Sequence, residues 1–147
     1  MASENSTHVD AAPRQVFAVL LDAWSYADWV VGAKDIRDVD PHWPAPGSRF
    51  HHTVGVGPVS TDDCTEIEHV DAPRRLVLKA SARPFGVARI VFDVMAEEGG
   101  SRVTIEEEPV EGPATGAGAA ADAALSLRNT ESLRRLRDLV EERAATG

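Results

Sequence analysis

The feature that most constrains this chain is its last long stretch, residues 119–143, which reads AAADAALSLRNTESLRRLRDLVEER. It holds no Pro or Gly and is rich in Ala, Leu, Arg and Glu, the strong helix formers. At 1.5 Å per residue it predicts a helix about 37 Å long, enough to cross a small domain. On a 3.6-residue wheel, Leu125, Leu133, Leu136, Leu139 and Val140 share one face, opposite Arg134, Arg137, Asp138, Glu141 and Glu142. Burying five such side chains contributes about 7–15 kcal/mol gross, an upper bound because the unfolded chain is itself compact. The preceding chain is therefore expected to wrap this helix. Two polar residues, Asn129 and Ser132, interrupt the apolar face. Either they hydrogen-bond a neighbouring strand, or they meet a ligand.

The rest of the chain has to supply the wrapping. Its 147 residues fit a single domain over 1–147, with residues 1–6 expected to be a disordered lead-in. A short edge strand is expected at 7–10. Pro13 then suits the first position of a helix in which Val16, Phe17 and Leu20 share a face. Residues 24–29 continue as a second brief helical turn, and the helical pattern stops at Gly32.

Beyond Gly32 the period becomes two. Strands are expected at 36–40, 48–54, 61–70, 75–82, 87–96 and 102–108. The connectors are rich in turn residues: 42–47, 55–58, Asp71-Ala72-Pro73, Pro84-Phe85-Gly86 and Glu98-Gly99-Gly100. Links this short imply antiparallel neighbours, because a parallel crossover needs a dozen residues or more. A Gly/Pro/Ala-rich link, 109–118, leads into the long helix. The sum is α+β: an antiparallel sheet with helices on one face.

Alternation sorts the strand faces. Leu76, Leu78, Ala80 and Ala82 share one parity, and Ala88, Ile90, Phe92 and Val94 share another. Three of these inward positions are alanines, where a filled core favours larger side chains. Either an internal space lies beneath the Ala-rich start of the helix, or the helix sits closer to the sheet there.

The net charge of −9 argues against a nucleic-acid partner or an anionic membrane surface, because phosphate would be repelled. No run approaches the length of a membrane span. The opening MASENSTHVDAAP has neither a basic nor an apolar leader segment, so a cytoplasmic protein is expected. A single cysteine, Cys64, excludes an internal disulfide. Its neighbours Asp62, Asp63 and Glu66 work against a thiolate.

His51, His52 and His69 with Asp62, Asp63 and Cys64 offer metal-ligand types but no ligand spacing, so neither a metal nor a cofactor is expected. Adjacent His51 and His52 on a strand point to opposite faces. If Phe50 points inward, so does His52; if Ile67 points inward, so do Asp63 and Thr65. A His and an acid facing one space have the chemistry for proton transfer near neutral pH. They fit equally well as half-exposed residues at the rim. The acidic runs Asp62, Asp63, Glu66, Glu68 and 106–108 read as solvated faces.

Three stretches carry a family resemblance. Ala12-Pro13-Arg14-Gln15-Val16-Phe17, followed by Tyr26-Ala27-Asp28-Trp29, resembles the opening helices of the polyketide cyclase/dehydrase branch of the START-like, helix-grip (SRPBCC) superfamily. Pro46-Gly47-Ser48-Arg49-Phe50 is similar to the entry to that branch's third strand. Arg128-Asn129-Thr130-Glu131-Ser132-Leu133-Arg134-Arg135-Leu136 resembles its C-terminal helix. The resemblance implies a curved antiparallel sheet gripping the long helix, with two short helices after the first strand. It also implies a cavity that accepts a hydrophobic or aromatic small molecule, lipid-like or polyketide-like.

The residues expected to line that cavity are Phe50, His52, Thr65 and Ile67, then Leu78, Ala80, Ile90 and Phe92 from the later strands. Trp29, Asn129 and Leu133 join them from the helices. The alternative is a polyketide aromatase/cyclase or dehydratase. No catalytic residue of such enzymes is matched onto this chain, which leaves His52 and Asp63 as the candidates. A third reading, a protein-interaction module, requires the cavity to be filled. Such folds host binders and enzymes alike, so the fold does not choose among these.

Overall fold

A computed structural model describes residues 3–56, 58–82, 86–112 and 118–146. Seven antiparallel strands form one sheet in the order β1-β7-β6-β5-β4-β3-β2. They are β1 (Ser3–Val9), β2 (Ala33–Val39), β3 (Arg49–Val56), β4 (Val59–Asp71), β5 (Arg75–Ala82), β6 (Gly86–Glu97) and β7 (Gly100–Glu111). Between β1 and β2 lie α1 (Pro13–Leu20), a 3-10 turn (Ala23–Ser25) and α2 (Tyr26–Trp29). The chain closes with α3 (Ala119–Thr146). This is the expected α+β arrangement, a curved sheet gripping its C-terminal helix.

Pro13 opens α1, and the Ala12 N–H just before it is capped by Gln15 Oε1 at 2.8 Å. The α1–α2 corner is fastened internally. Ser25 Oγ donates to the Asp22 carbonyl at 2.7 Å and accepts from Trp29 Nε1–H at 3.1 Å, while the Tyr26 hydroxyl donates to the Leu20 carbonyl at 2.7 Å.

The expected disorder up to Ser6 is corrected for residues 3–6. Ser3 to Ser6 pair with Glu107 to Thr104 of β7, because that neighbouring strand supplies backbone partners which polar residues accept as readily as apolar ones. Elsewhere β4, β6 and β7 run one to three residues past their expected bounds, β5 matches its own, β1 stops one residue short at Val9, and β2 and β3 are shifted to Ala33–Val39 and Arg49–Val56; Gly55 and Val56 belong to β3 and Pro109 to β7. Gly57, the Pro84-Phe85 turn and residues 113–117 of the expected link lie outside the described residues.

Register fixes which side chains share the inner face. Across the sheet run the rows Ile105–Phe92–Leu76, Glu107–Ile90–Leu78–Ile67 and Pro109–Ala88–Ala80–Thr65–Phe50. Directly paired residues point to one side. Asn5 pairs with Ile105 and reaches Ser126 and Thr130 of α3, so the helix lies on this face. The Trp29 ring meets Phe92 edge-on at 5.8 Å, which places α2 there too. Leu133, Leu136 and Val140 are buried in the core, while Leu125 and Leu139 are half-buried.

Leu136 is 0% exposed, so Leu136→Ala is expected to cost about 2–5 kcal/mol by opening a void. Glu142→Ala, on the exposed side of the same helix, is expected to cost less than about 0.5 kcal/mol. Urea unfolding of the two variants checks the difference; equal costs would mean that the helix does not organise the core.

Candidate functional site

The inner face is a continuous aromatic wall at one end. Ring centroids run from Trp43 to Phe50 (5.2 Å), Phe50 to Tyr26 (4.9 Å), Tyr26 to Trp29 (4.7 Å) and on to Phe92. Trp29, Phe50, Ile67, Leu78, Phe92 and Leu133 are all fully enclosed here. The half-buried Trp43 packs against Phe50 although nothing in the sequence singled it out; its Nε1–H donates to the Leu21 carbonyl at 2.7 Å.

Toward the middle of the sheet the wall becomes small. Ala80 pairs directly with Ala88, and the row continues to Thr65 on one side and Pro109 on the other. Ala80, Ala88 and Ile90 belong to interior strands yet retain solvent access. The inner face is therefore accessible at these positions, where the alanine parity left open either an internal space or a closer helix. The side chain of Ala82 lies outside the described residues.

The helix explains why that region stays open. Among the described side chains of α3, the fully buried ones begin at Asn129 and continue through Ser132, Leu133, Leu136 and Val140. Ahead of them Leu125 is half-buried and Leu127 is 74% exposed. Polar contacts hold this earlier part. Asn5 Nδ2–H donates to Ser126 Oγ at 2.9 Å and to Thr130 Oγ1 at 3.1 Å. Arg128 Nη2 reaches both Glu107 carboxylate oxygens at 2.8 and 2.7 Å.

Glu107 corrects the reading of 106–108 as a solvated face: its side chain is only 8% exposed and points inward. It has the parity of Val103 and Ile105, and that alternation was the signal which the run of acids obscured.

Among the described residues, His52 and Asn129 are the polar side chains left incomplete inside. His52 is 3% exposed; its Nε2 bonds Thr65 Oγ1 at 2.9 Å, and its Nδ1 has no partner. Burial pushes its pKa below the usual 6.5, so the ring is neutral at pH 7. Asn129 is 2% exposed, with Nδ2 unpartnered. Ser132, its companion on the helix face, accepts the Val31 N–H at 3.0 Å. Thus one of the two polar interruptions is structural, bonded to the segment after α2, and the other faces inward with a donor to spare.

The other candidates lie apart from this. Asp63 pairs with His52 in register and is half-buried, but its Oδ1 accepts the Cys64 N–H at 2.9 Å. His51 points outward, its Nε2 3.6 Å from Asp40. Among the described residues no three His, Cys, Asp or Glu side chains gather as a metal set. Two open surface depressions occur elsewhere, one of about 600 Å³ bounded by Pro13, Pro73, Arg74 and Met95. The other, beside Glu4, Arg75, Asp93 and Thr104, likewise includes none of the candidate residues.

A sheet closed around its C-terminal helix, with an apolar inner face and a few polar groups left in it, defines a helix-grip protein. The chain belongs to the family described as polyketide cyclase / dehydrase and lipid transport, whose model matches residues 2–141. No curated protein matches it. Among solved structures it is similar to the Zhui aromatase/cyclase from Streptomyces sp. R1128, at 16% identity and TM-score 0.74, covering 98% of this chain and 95% of that one. The di-domain ARO/CYC BexL from the BE-7585A biosynthetic pathway is similar at 20% identity and TM-score 0.71, over 96% of this chain and 50% of that one. Protein CV1439 from Chromobacterium violaceum matches at 14% identity and TM-score 0.71, over 96% and 98% of the two chains. At these identities the likeness shows the fold alone. Among the described residues no helix is long and apolar enough to cross a membrane.

The depressed pKa of His52 has a pH signature. Between 6.5 and its lower folded value, the unfolded chain binds a proton that the folded one refuses, so this residue's contribution to stability falls as pH falls through that window. His52→Gln removes the difference. Its destabilisation relative to the parent protein, measured by urea unfolding, is expected to be smaller at pH 5.5 than at pH 7.5; a gap that widens toward acid would contradict the buried neutral ring.

Proposed function

We propose that this protein binds a hydrophobic or aromatic small molecule, lipid-like or polyketide-like, between the sheet and its C-terminal helix. The observation that carries the reading is the open row of small side chains, Ala80 and Ala88, with Ile90 beside it on the inner face. An apolar surface with a few inward polar groups is the usual make-up of a small-molecule site. Asn129 and His52 are those groups, and Phe50, Thr65, Ile67, Leu78, Phe92, Trp29 and Leu133 form the walls. Family membership and the aromatase/cyclase names among its structural neighbours support the same reading.

One observation favours a second reading, a cyclase or dehydratase. His52 is neutral, buried and has a free ring nitrogen, as a general base requires. Under that reading His52→Ala abolishes turnover of a poly-ketone substrate while leaving its binding nearly intact. Under the binding reading, a panel of such substrates shows no turnover with the parent protein.

The binding reading is tested with N-phenyl-1-naphthylamine, an uncharged apolar fluorophore. At a hundred times its dissociation constant it is expected to stabilise the protein by about 2.7 kcal/mol, read as a rise in Tm. Ala80→Leu is expected to suppress both the shift and the fluorescence gain without lowering the Tm of the ligand-free protein, since the added bulk enters open space. In a filled interior the same substitution costs about 1–3 kcal/mol. A destabilised Ala80→Leu protein, with no shift in the parent, would overturn the reading.

A further inference from the structure

We infer that the site selects an uncharged ligand carrying a hydrogen-bond acceptor such as a ketone, and rejects the carboxylate of the same apolar shape. The inference rests on the binding reading above and concerns what the site discriminates. It follows from the charges left on the inner face.

The two groups without partners there, Asn129 Nδ2 and His52 Nδ1, are both uncharged: one is an amide and the other belongs to a ring that burial keeps neutral. An amide N–H donates one hydrogen bond and is satisfied by a carbonyl oxygen. The His52 nitrogen donates or accepts according to how the Thr65 hydroxyl turns at Nε2, so it tolerates either a carbonyl or a hydroxyl. Left dry and unpaired, both atoms carry a desolvation cost, and a ligand that completes them recovers it.

A carboxylate fares differently. Buried charge is tolerated only beside an opposite charge. Arg128, the cation at this end of the helix, already holds both oxygens of the buried Glu107 in a two-pronged contact. Glu107 shares its inward row with Ile90 and Leu78, so an entering anion would face an acid on the same wall.

Three probes with one apolar body separate the possibilities: naphthalene, 2-acetylnaphthalene and 2-naphthoate, titrated against the intact protein at pH 8 by calorimetry or by competition with N-phenyl-1-naphthylamine. The ketone is expected to bind at least about tenfold more tightly than the carboxylate and several-fold more tightly than the hydrocarbon. Asn129→Leu is expected to bring the ketone down to the level of naphthalene while naphthalene itself is retained. Should that variant fail to fold, Asn129→Ser, which shortens the donor out of reach, carries the same expectation. The ranking in the parent protein decides the charge claim in any case. Naphthoate binding as tightly as the ketone, or a ketone no better than naphthalene, would overturn this inference and leave the binding reading standing. Failure of all three to bind would remove the binding reading and this inference with it.

Discussion

Everything in this fold depends on burying one face of α3. Leu133, Leu136 and Val140 cannot be covered by a flat sheet and two short helices acting separately; the strands curve around them, and α1 and α2 close the open side. Hydrophobic burial is non-directional, so it anchors the helix wherever enough apolar surface meets it. Here that happens along the C-terminal half. The N-terminal half is held instead by Asn5, Glu107 and Arg128, whose contacts are directional and bridge strand to helix without filling the space beneath. One helix thus has a well-packed half and a half strapped by polar contacts.

That division was partly legible in the sequence. The helical wheel put Leu133, Leu136 and Val140 on one face, and Leu127 lies roughly 180° from Leu136, which matches its exposure. Alternation in β5 and β6 gave the inward parity of Leu76, Leu78, Phe92 and Val94, all buried, because period two is clear where one face is apolar; near the β5–β6 turn Ser81 and Val87, of the opposite parity, are buried as well. Short connectors rich in Gly and Pro gave the antiparallel order. Ser3 to Ser6 escaped notice because their pairing with β7 is set by a partner about a hundred positions away, and their side chains carry no apolar signal.

The site was less legible, for a different reason. Composition treats a run of acids as solvated, yet one of them, Glu107, is turned inward by strand parity and neutralised by Arg128 from the helix. Neither residue reveals the pairing alone. Asn129 and Ser132 looked equivalent on the wheel; only the position of the Val31 N–H decides that Ser132 is occupied and Asn129 is not. Likewise the pairing of His52 with Asp63 followed from register, but the ring turns to Thr65 and the carboxylate to the Cys64 backbone. Facing the same way is a property of the strand, whereas hydrogen bonding belongs to the tertiary structure.

The central claim is that an apolar molecule occupies the space over Ala80 and Ala88. Two-dimensional amide NMR with a neutral aromatic probe tests it most directly, because backbone and side-chain signals report where the ring lies. The account predicts that the largest shifts fall on Ala80, Ala88, Ile90 and the Asn129 side-chain amide, with little change at Pro73-flanking residues or Met95. Shifts confined to the outer depression around Arg74 and Met95, or no saturable shifts at all, would contradict it.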